Sequence, residues 1–276
     1  MMARSADEAT LKRGIMNTIA GHAKTLFRDG IDQALNRLGF SQSAERLTAD
    51  AETYWTGKQG EAWTADSHWR GWLSENDWRA IGDDHWALWE MFARAVNATG
   101  PLRRIVDWGC GGGANAVAFA PHCAEYIGAD IVPATVRECE KQVATTCNTR
   151  FNGVVIDTTQ PEISAQDIPR CDLFICFYVL ELVPTPEYGL RILNIAANLL
   201  EPGGYAMIQI KYRSGWRTAS RGRRYKSSTA ASMTSYRIDE FWNASVRCGL
   251  RPWLVHLVPR NAMDERYAYF LFSALS

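Results

Sequence analysis

What this chain lacks already narrows its class. It contains no run of about 18 apolar residues, so no transmembrane helix is expected. Neither charge is in excess: 30 basic residues face 30 acidic ones, which removes any global pull toward nucleic acid or an anionic membrane. The stretch from Met1 to Phe40 has no apolar core and no cleavage site of a secretory signal. Its Arg4, Lys12, Arg13, Lys24 and Arg28 weakly suggest a transit peptide, but Asp7, Glu8 and Asp29 argue against one. The seven cysteines (Cys110, Cys123, Cys139, Cys147, Cys171, Cys176 and Cys248) form no C-x-x-C pair, and no histidine stands at zinc-finger spacing. No metal site is expected, and the odd count fits reduced thiols in the cytoplasm. Cys176 lies in an apolar run, where a free cysteine behaves as a small hydrophobe. No internal repeat is present.

The most telling residues present are Ile105-Val-Asp-Trp-Gly-Cys-Gly-Gly-Gly-Ala114. An apolar pair ends in a carboxylate, Asp107. Gly109, Gly111, Gly112 and Gly113 follow, and then an alanine-rich stretch that can form a helix. This is the pattern of a strand, a tight turn and a helix start. Glycines permit positive φ and close approach of backbone to a ligand, and the N–H groups of a new helix face an anion. Asp107 precedes the glycines by two residues, where it can meet a cation. A ligand with both an amine and a carboxylate fits that pair.

With 276 residues, 47% of them hydrophobic, the chain can form one large domain or one domain with a cap. We divide it into a helical, aromatic cap or lid region at 1–99 and a main domain at 100–276. Leu11, Ile15, Ile19, Ala23, Phe27, Ile31 and Leu35 form a helical stripe over 11–40. It reads either as a membrane-surface or dimer helix, or as one packed on the main domain. Residues 51–92 hold Trp55, Trp63, Trp69, Trp72, Trp78, Trp86 and Trp89, with Tyr54, His68 and His85. Such aromatic density suits a substrate lid, or a small core joining the cap to the main domain.

From Arg103 on, strands and helices alternate. Strands are expected at Arg104–Trp108, Tyr126–Asp130, Gly153–Ile156, Leu173–Phe177, Tyr205–Ile210, Trp253–Val258 and Tyr267–Phe272. Helices are expected at Ala134–Thr146, Tyr188–Leu200 and Ile238–Cys248. Alternation implies an α/β fold, a mostly parallel seven-stranded sheet with helices on both faces. Only Pro259–Arg266 separates the last two strands, which therefore form an antiparallel hairpin. Three strands end in acids. Asp130, in Gly128-Ala-Asp-Ile131, can accept hydrogen bonds from ribose hydroxyls, and Ile131 can pack on an adenine. Asp157 ends the third strand; it or its neighbouring backbone can read an adenine amino group, or it can simply cap a turn. Phe177 should line the cleft at the fourth strand, or pack in the core. Gly109-x-Gly111-x-x-Ala114 also matches the loose dinucleotide fingerprint.

Asp107-x-Gly109-x-Gly111-x-Gly113, Gly-Ala-Asp130, Asp157, Asp172 with Val-Leu-Glu181, and Leu-Leu-Glu-Pro-Gly-Gly204 together resemble class I S-adenosylmethionine-dependent methyltransferases over about residues 100–275. The segment Cys176-Phe-Tyr-Val-Leu-Glu-Leu-Val-Pro184 is similar to that of small-molecule O-methyltransferases, including the quinone-biosynthesis branch. The resemblance implies S-adenosylmethionine as cofactor, whose methionyl end carries an amine and a carboxylate. It implies Asp107 and Gly109 near that end, Asp130 at the ribose, Asp157 near the adenine, and Phe177 beside the sulfonium; Cys110, Gly111 and Ile131 are counted with them as cofactor-binding residues. That family usually has His after the Glu; here it is Leu182, so no catalytic base carries over. His68 and His85 are the candidate bases in the aromatic segment.

The expected activity is methyl transfer to a small-molecule acceptor, at oxygen. Lys211, Arg213, Arg217, Arg221, Arg223, Arg224 and Lys226 crowd residues 211–226 without an acid. This segment favours an anionic acceptor group, or is a solvated loop. With Tyr212, Trp216 and Tyr225 interleaved it also allows an RNA methyltransferase, although no RNA-binding module is evident. The missing His keeps open a partner protein that binds S-adenosylmethionine without using it. A dehydrogenase fits least, because Asp107 would face a pyrophosphate.

Overall fold

The computed structural model describes residues 31, 34–36, 38–56, 74–98, 100–213, 222–225, 234–261 and 265–275. The expected stripe from Leu11 to Phe27, the residues Trp63, His68, Trp69 and Trp72, and Trp216, Arg217, Arg221 and Lys226 of the basic segment lie outside them.

The sheet has seven strands: β1 (Leu102–Trp108), β2 (Cys123–Asp130), β3 (Arg150–Val155), β4 (Cys171–Cys176), β5 (Leu200–Lys211), β6 (Leu250–Arg260) and β7 (Glu265–Ala274). Every expected strand is present, within a few residues of its expected ends. Their order is β3-β2-β1-β4-β5-β7-β6. β1 pairs in parallel with both β2 and β4, β2 with β3, and β4 with β5. β7 runs antiparallel between β5 and β6. The hairpin's second strand is thus the inserted one, and its first forms the edge. The order reverses between β1 and β4, which opens a crevice at their C-terminal ends.

Alternation along the strands feeds two cores. Val106, Ile127, Phe174, Ile208 and Phe270 point to one face, under α6 (Pro186–Leu199) and α7 (Ile238–Arg247). Ile105, Tyr126, Leu173, Met207 and Leu271 point to the other. That second face is covered by α2 (Glu75–Ala95), α3 (Ala114–Phe119) and α4 (Pro133–Thr146). Also described are α1 (Ala44–Thr56), the short α5 (Pro161–Ala165) and a 3-10 turn at Ala120–His122.

α2 starts at Ser74, whose side chain accepts the N–H of Asp77, and carries Glu75 and Asp77 in its first turn and Arg94 in its last. Both charge placements oppose the helix dipole favourably. Its buried positions Trp78, Gly82, His85, Trp89 and Phe92 fall on one stripe. Trp78 packs with Ala114 and Val117 of α3. Gly82 permits the approach, since a Cβ there would overlap the Ala114 carbonyl. The described tryptophans of α2 therefore build the aromatic contacts that join this helix to α3 and the sheet. No helix among the described residues is long and apolar enough to cross a membrane.

Candidate functional site

A cleft of about 1340 Å³, counting the space at its mouth, opens where the sheet order reverses. Its floor is the loop after β1, with Trp108, Gly109, Cys110, Gly111 and Asn115. One side is the end of β2, with Asp130, Ile131 and Thr135; Ile156 and Thr158 follow β3. The other side is the tail of β4, with Phe177, Tyr178, Val179 and Leu182. α1 covers it with Thr48, Ala51, Glu52 and Trp55, which recur at helical spacing on one face.

The glycine loop is tied to β2. Gly109 N–H and Cys110 N–H both donate to the Ala129 carbonyl, at 2.7 and 3.0 Å. Gly109, Gly111 and Gly113 all have positive φ. A Cβ on Gly111 would project into open space, so the loop shows bare backbone to the cleft. Asp130 closes the loop, its carboxylate accepting the N–H of Gly111 and of Val132 at 3.1 Å each. Half-buried, it stands on the cleft wall. Burial pushes its carboxyl up, and the two backbone N–H groups oppose that shift.

Asp107 lies deeper. It is fully buried and stands behind the wall rather than on it. Tyr126 donates to its Oδ2 at 2.7 Å, while Oδ1 is buried with no hydrogen-bond partner among the described residues. Burial raises its carboxyl to about 7, the Tyr126 bond opposing and the Asp130 charge adding. The Asp157 carboxylate does not reach the cleft. It is exposed, and Oδ1 accepts the Thr159 N–H, the Thr159 hydroxyl and the Gln160 N–H. A short acidic side chain in a turn is satisfied most easily by the next backbone groups. Its neighbours Ile156 and Thr158 line the cleft instead. Asp172 binds the N–H groups of Arg103 and Arg104 at the start of β1, far from the site.

His85 is buried behind Phe177, with ring centroids 4.3 Å apart. Its Nδ1 is 2.7 Å from Asn115 Oδ1, and its Nε2 is 2.9 Å from the Tyr269 hydroxyl. An amide oxygen only accepts, so Nδ1 carries the proton and Nε2 accepts from Tyr269. Burial pulls the imidazole down to about 4, against the Asn115 bond.

The shifts of His85 and Asp107 oppose one another in stability. Between 4 and 6.5 the unfolded chain takes a proton that buried His85 refuses, so this contribution is present above 6.5 and lost as pH falls. Between 3.8 and 7 buried Asp107 holds a proton that the unfolded chain releases, so its contribution is present below 3.8 and lost as pH rises. Each amounts to on the order of 3 kcal/mol. Asp107→Asn removes the second, so unfolding free energy from urea titration is expected to climb more steeply between pH 4 and 6.5 than in the wild type. Parallel curves would show that Asp107 titrates as it does in the unfolded chain.

The basic segment is only partly a surface feature. Lys211 is buried, with Nζ over the Tyr267 ring, and Arg213 pairs with Glu240 at 3.0 Å. Tyr225 lies beside Arg223 and Arg224 and receives the Trp55 indole N–H at 2.6 Å. Its own hydroxyl donates to the Leu182 carbonyl. This chain of bonds ties α1 to the β4 tail. Among the described residues no group of three His, Cys, Asp or Glu side chains is placed to hold a metal. Sequence reasoning missed Asn115, Tyr178 and Thr48 on the cleft wall. Only Tyr178 had a signal, its place next to Phe177.

A family model described as a methyltransferase domain matches residues 90–250, more than half of the chain. The ubiquinone biosynthesis O-methyltransferase of Alkalilimnicola ehrlichii is 31% identical over 119 residues, 41% of this chain and 43% of that protein. That of Coxiella burnetii is 32% identical over 102 residues, 37% of this chain and 41% of that protein. The matched stretch is thus less than half the length of these curated relatives. Magnesium protoporphyrin IX methyltransferase of Synechocystis PCC 6803, solved with S-adenosylhomocysteine, superposes with a TM-score of 0.57 at 13% identity. That match covers 83% of this chain and 100% of the other. An S-adenosylmethionine-dependent methyltransferase of Clostridium acetobutylicum gives 0.53 at 11% identity, covering 75% and 94%. At these identities the likeness is one of fold.

Proposed function

The chain belongs to the methyltransferase domain family, and on that premise we propose that it transfers a methyl group from S-adenosylmethionine to an oxygen of a small-molecule acceptor. The observation that carries this reading is the cleft where β1 and β4 diverge, with bare backbone at Gly111 and the Asp130 carboxylate on its wall. That donor set fits a nucleoside joined to an amino acid. S-adenosylmethionine supplies a methyl group activated on a sulfonium.

In this reading Asp130 accepts ribose hydroxyls with the oxygen capacity left by its two backbone bonds. Ile131 and Ile156 give an adenine apolar flanks. The loop from Gly109 to Gly111 holds the methionyl end, with Cys110 packed beneath it. Asp107, held neutral or charged near pH 7, sets the local field from behind the loop. Phe177 is beside the sulfonium. Fixing two partners in one closed cleft supplies much of the rate of an in-line displacement. The oxygen assignment is supported by the names of the two bacterial relatives. Trp55 and the rest of α1 close the cleft over the acceptor, the lid role expected of the aromatic segment. An anionic group on the acceptor is the chemistry that Arg223 and Arg224, beside Tyr225, favour.

The test is calorimetric titration with S-adenosylhomocysteine, with NADH as the control. Binding of S-adenosylhomocysteine alone is expected. Binding of NADH alone would overturn the reading.

A further inference from the structure

The carboxylate expected at the adenine amino group is turned away from it: Asp157 Oδ1 accepts from Thr159 and Gln160 in its own turn. A different element brings a carboxylate to the cleft. Thr48, Ala51, Glu52 and Trp55 line it from one face of α1. Ile156, Thr158 and Tyr188 line the same cleft, and the Tyr188 hydroxyl donates to the Thr158 carbonyl at 2.9 Å.

Three acids bear on Tyr188. Burial pushes its phenol up to about 12; the Arg191 charge opposes that, and the charges of Glu162, Asp157 and Glu52 add to it. Two of these acids are already engaged. Glu162 takes two N–H groups of Arg191, and Asp157 is held by its turn. Neither lines the cleft. Glu52 does, and no hydrogen bond or ion pair with the described residues engages its carboxylate.

The helix that carries Glu52 is fastened in place. Trp55, one turn further on, donates to Tyr225, whose hydroxyl donates to the Leu182 carbonyl. Ahead of the helix, the Gln42 N–H donates to the Arg223 carbonyl at 3.0 Å, and the Gln42 side chain donates to Asp50 at 2.9 Å. An ionised carboxylate only accepts hydrogen bonds. The adenine amine is its complement, a donor of two N–H bonds on an otherwise flat ring. Ile131 and Ile156, the apolar flanks for that ring, lie on the same cleft as Glu52.

Resting on the methyltransferase reading, we infer that Glu52 accepts an N–H of the adenine amino group, so that α1 selects the base of the cofactor.

The test is calorimetric titration with two ligands. One is S-adenosylhomocysteine; the other is its analogue built on purine riboside, with hydrogen in place of the adenine amine. The wild type is expected to bind the analogue at least tenfold more weakly, the loss of one hydrogen bond to a charged acceptor. Glu52→Ala is expected to bind S-adenosylhomocysteine more weakly by the same factor and the analogue as tightly as the wild type does, so the discrimination vanishes. Alanine keeps α1 helical, and an unchanged unfolding temperature checks this. Glu52→Gln keeps one acceptor oxygen and should recover part of the discrimination. Equal affinity of the wild type for both ligands would overturn the inference alone. So would discrimination that survives in Glu52→Ala, or an equal loss of both ligands from that variant. Failure of the wild type to bind S-adenosylhomocysteine would overturn the methyltransferase reading, and the inference with it.

Discussion

Gly109→Ala is expected to weaken S-adenosylhomocysteine binding at least a hundredfold and to lower the unfolding temperature. Gly109 has φ +85, where a Cβ costs roughly 1–2 kcal/mol. Space is also lacking, because that Cβ would overlap the Val179 side chain. Val179 belongs to the β4 tail on the cleft wall, and its N-terminal neighbours Phe177 and Tyr178 are buried. Relief must come from moving the loop off the β4 tail, at a further cost of about 1–3 kcal/mol. The loop would then lose the bonds from Gly109 and Cys110 to the Ala129 carbonyl that set its shape. Calorimetry and thermal unfolding measure both effects. Affinity within threefold of wild type would show that this loop does not shape the cofactor site. Gly111, where φ is also positive (+51) but a Cβ meets open space, is the useful contrast: there an added side chain carries backbone strain without overlapping any neighbour, so affinity falls with a smaller loss of stability than at Gly109.

Asp130→Ala is the second large effect, a loss of at least tenfold in S-adenosylhomocysteine affinity. Two contributions add. The carboxylate fastens the loop through Gly111 N–H and the next turn through Val132 N–H. It would also bind the ribose, and a hydrogen bond to a charged group contributes about 1.5–3 kcal/mol. Asp130→Asn keeps one acceptor oxygen and should fall between wild type and alanine. Unchanged affinity in Asp130→Ala would mean that the ribose is held elsewhere.

Much of this molecule was legible in its sequence. The seven strands announce themselves because each is a short apolar run between turn residues. Those of the parallel core are buried on both faces, so the runs are nearly continuous. Helices α4, α6 and α7 were legible from their length and alternation with strands; α6 starts two residues before its expected Tyr188, at Pro186 after the Thr185 cap. The glycine loop and Asp130 were legible for a local reason: a strand end, a tight turn and a helix start lie within a few residues of one another. Asp157 was less legible. An acid at a strand end looks the same whether it faces the cleft or its own turn; here its carboxylate accepts the turn's N–H groups, while its neighbours Ile156 and Thr158 line the cleft.

What the sequence determined by itself is the set of elements, their alternation, and the loop chemistry after β1 and β2, because these depend on neighbours along the chain. Apart from the β6–β7 hairpin, tertiary structure alone decided which strands adjoin. That β7 rather than β6 lies next to β5 follows from packing across the sheet, where Phe270 and Phe272 meet Phe241 of α7. It also decided the polar contacts buried behind Phe177. Asn115, Tyr178, Tyr269 and His85 come from four separate elements or tails, as much as 184 residues apart, and hydrogen-bond only once two layers have packed on the sheet. No local pattern encodes such a chain, because its partners are selected by burial: a polar group taken from water must find another nearby.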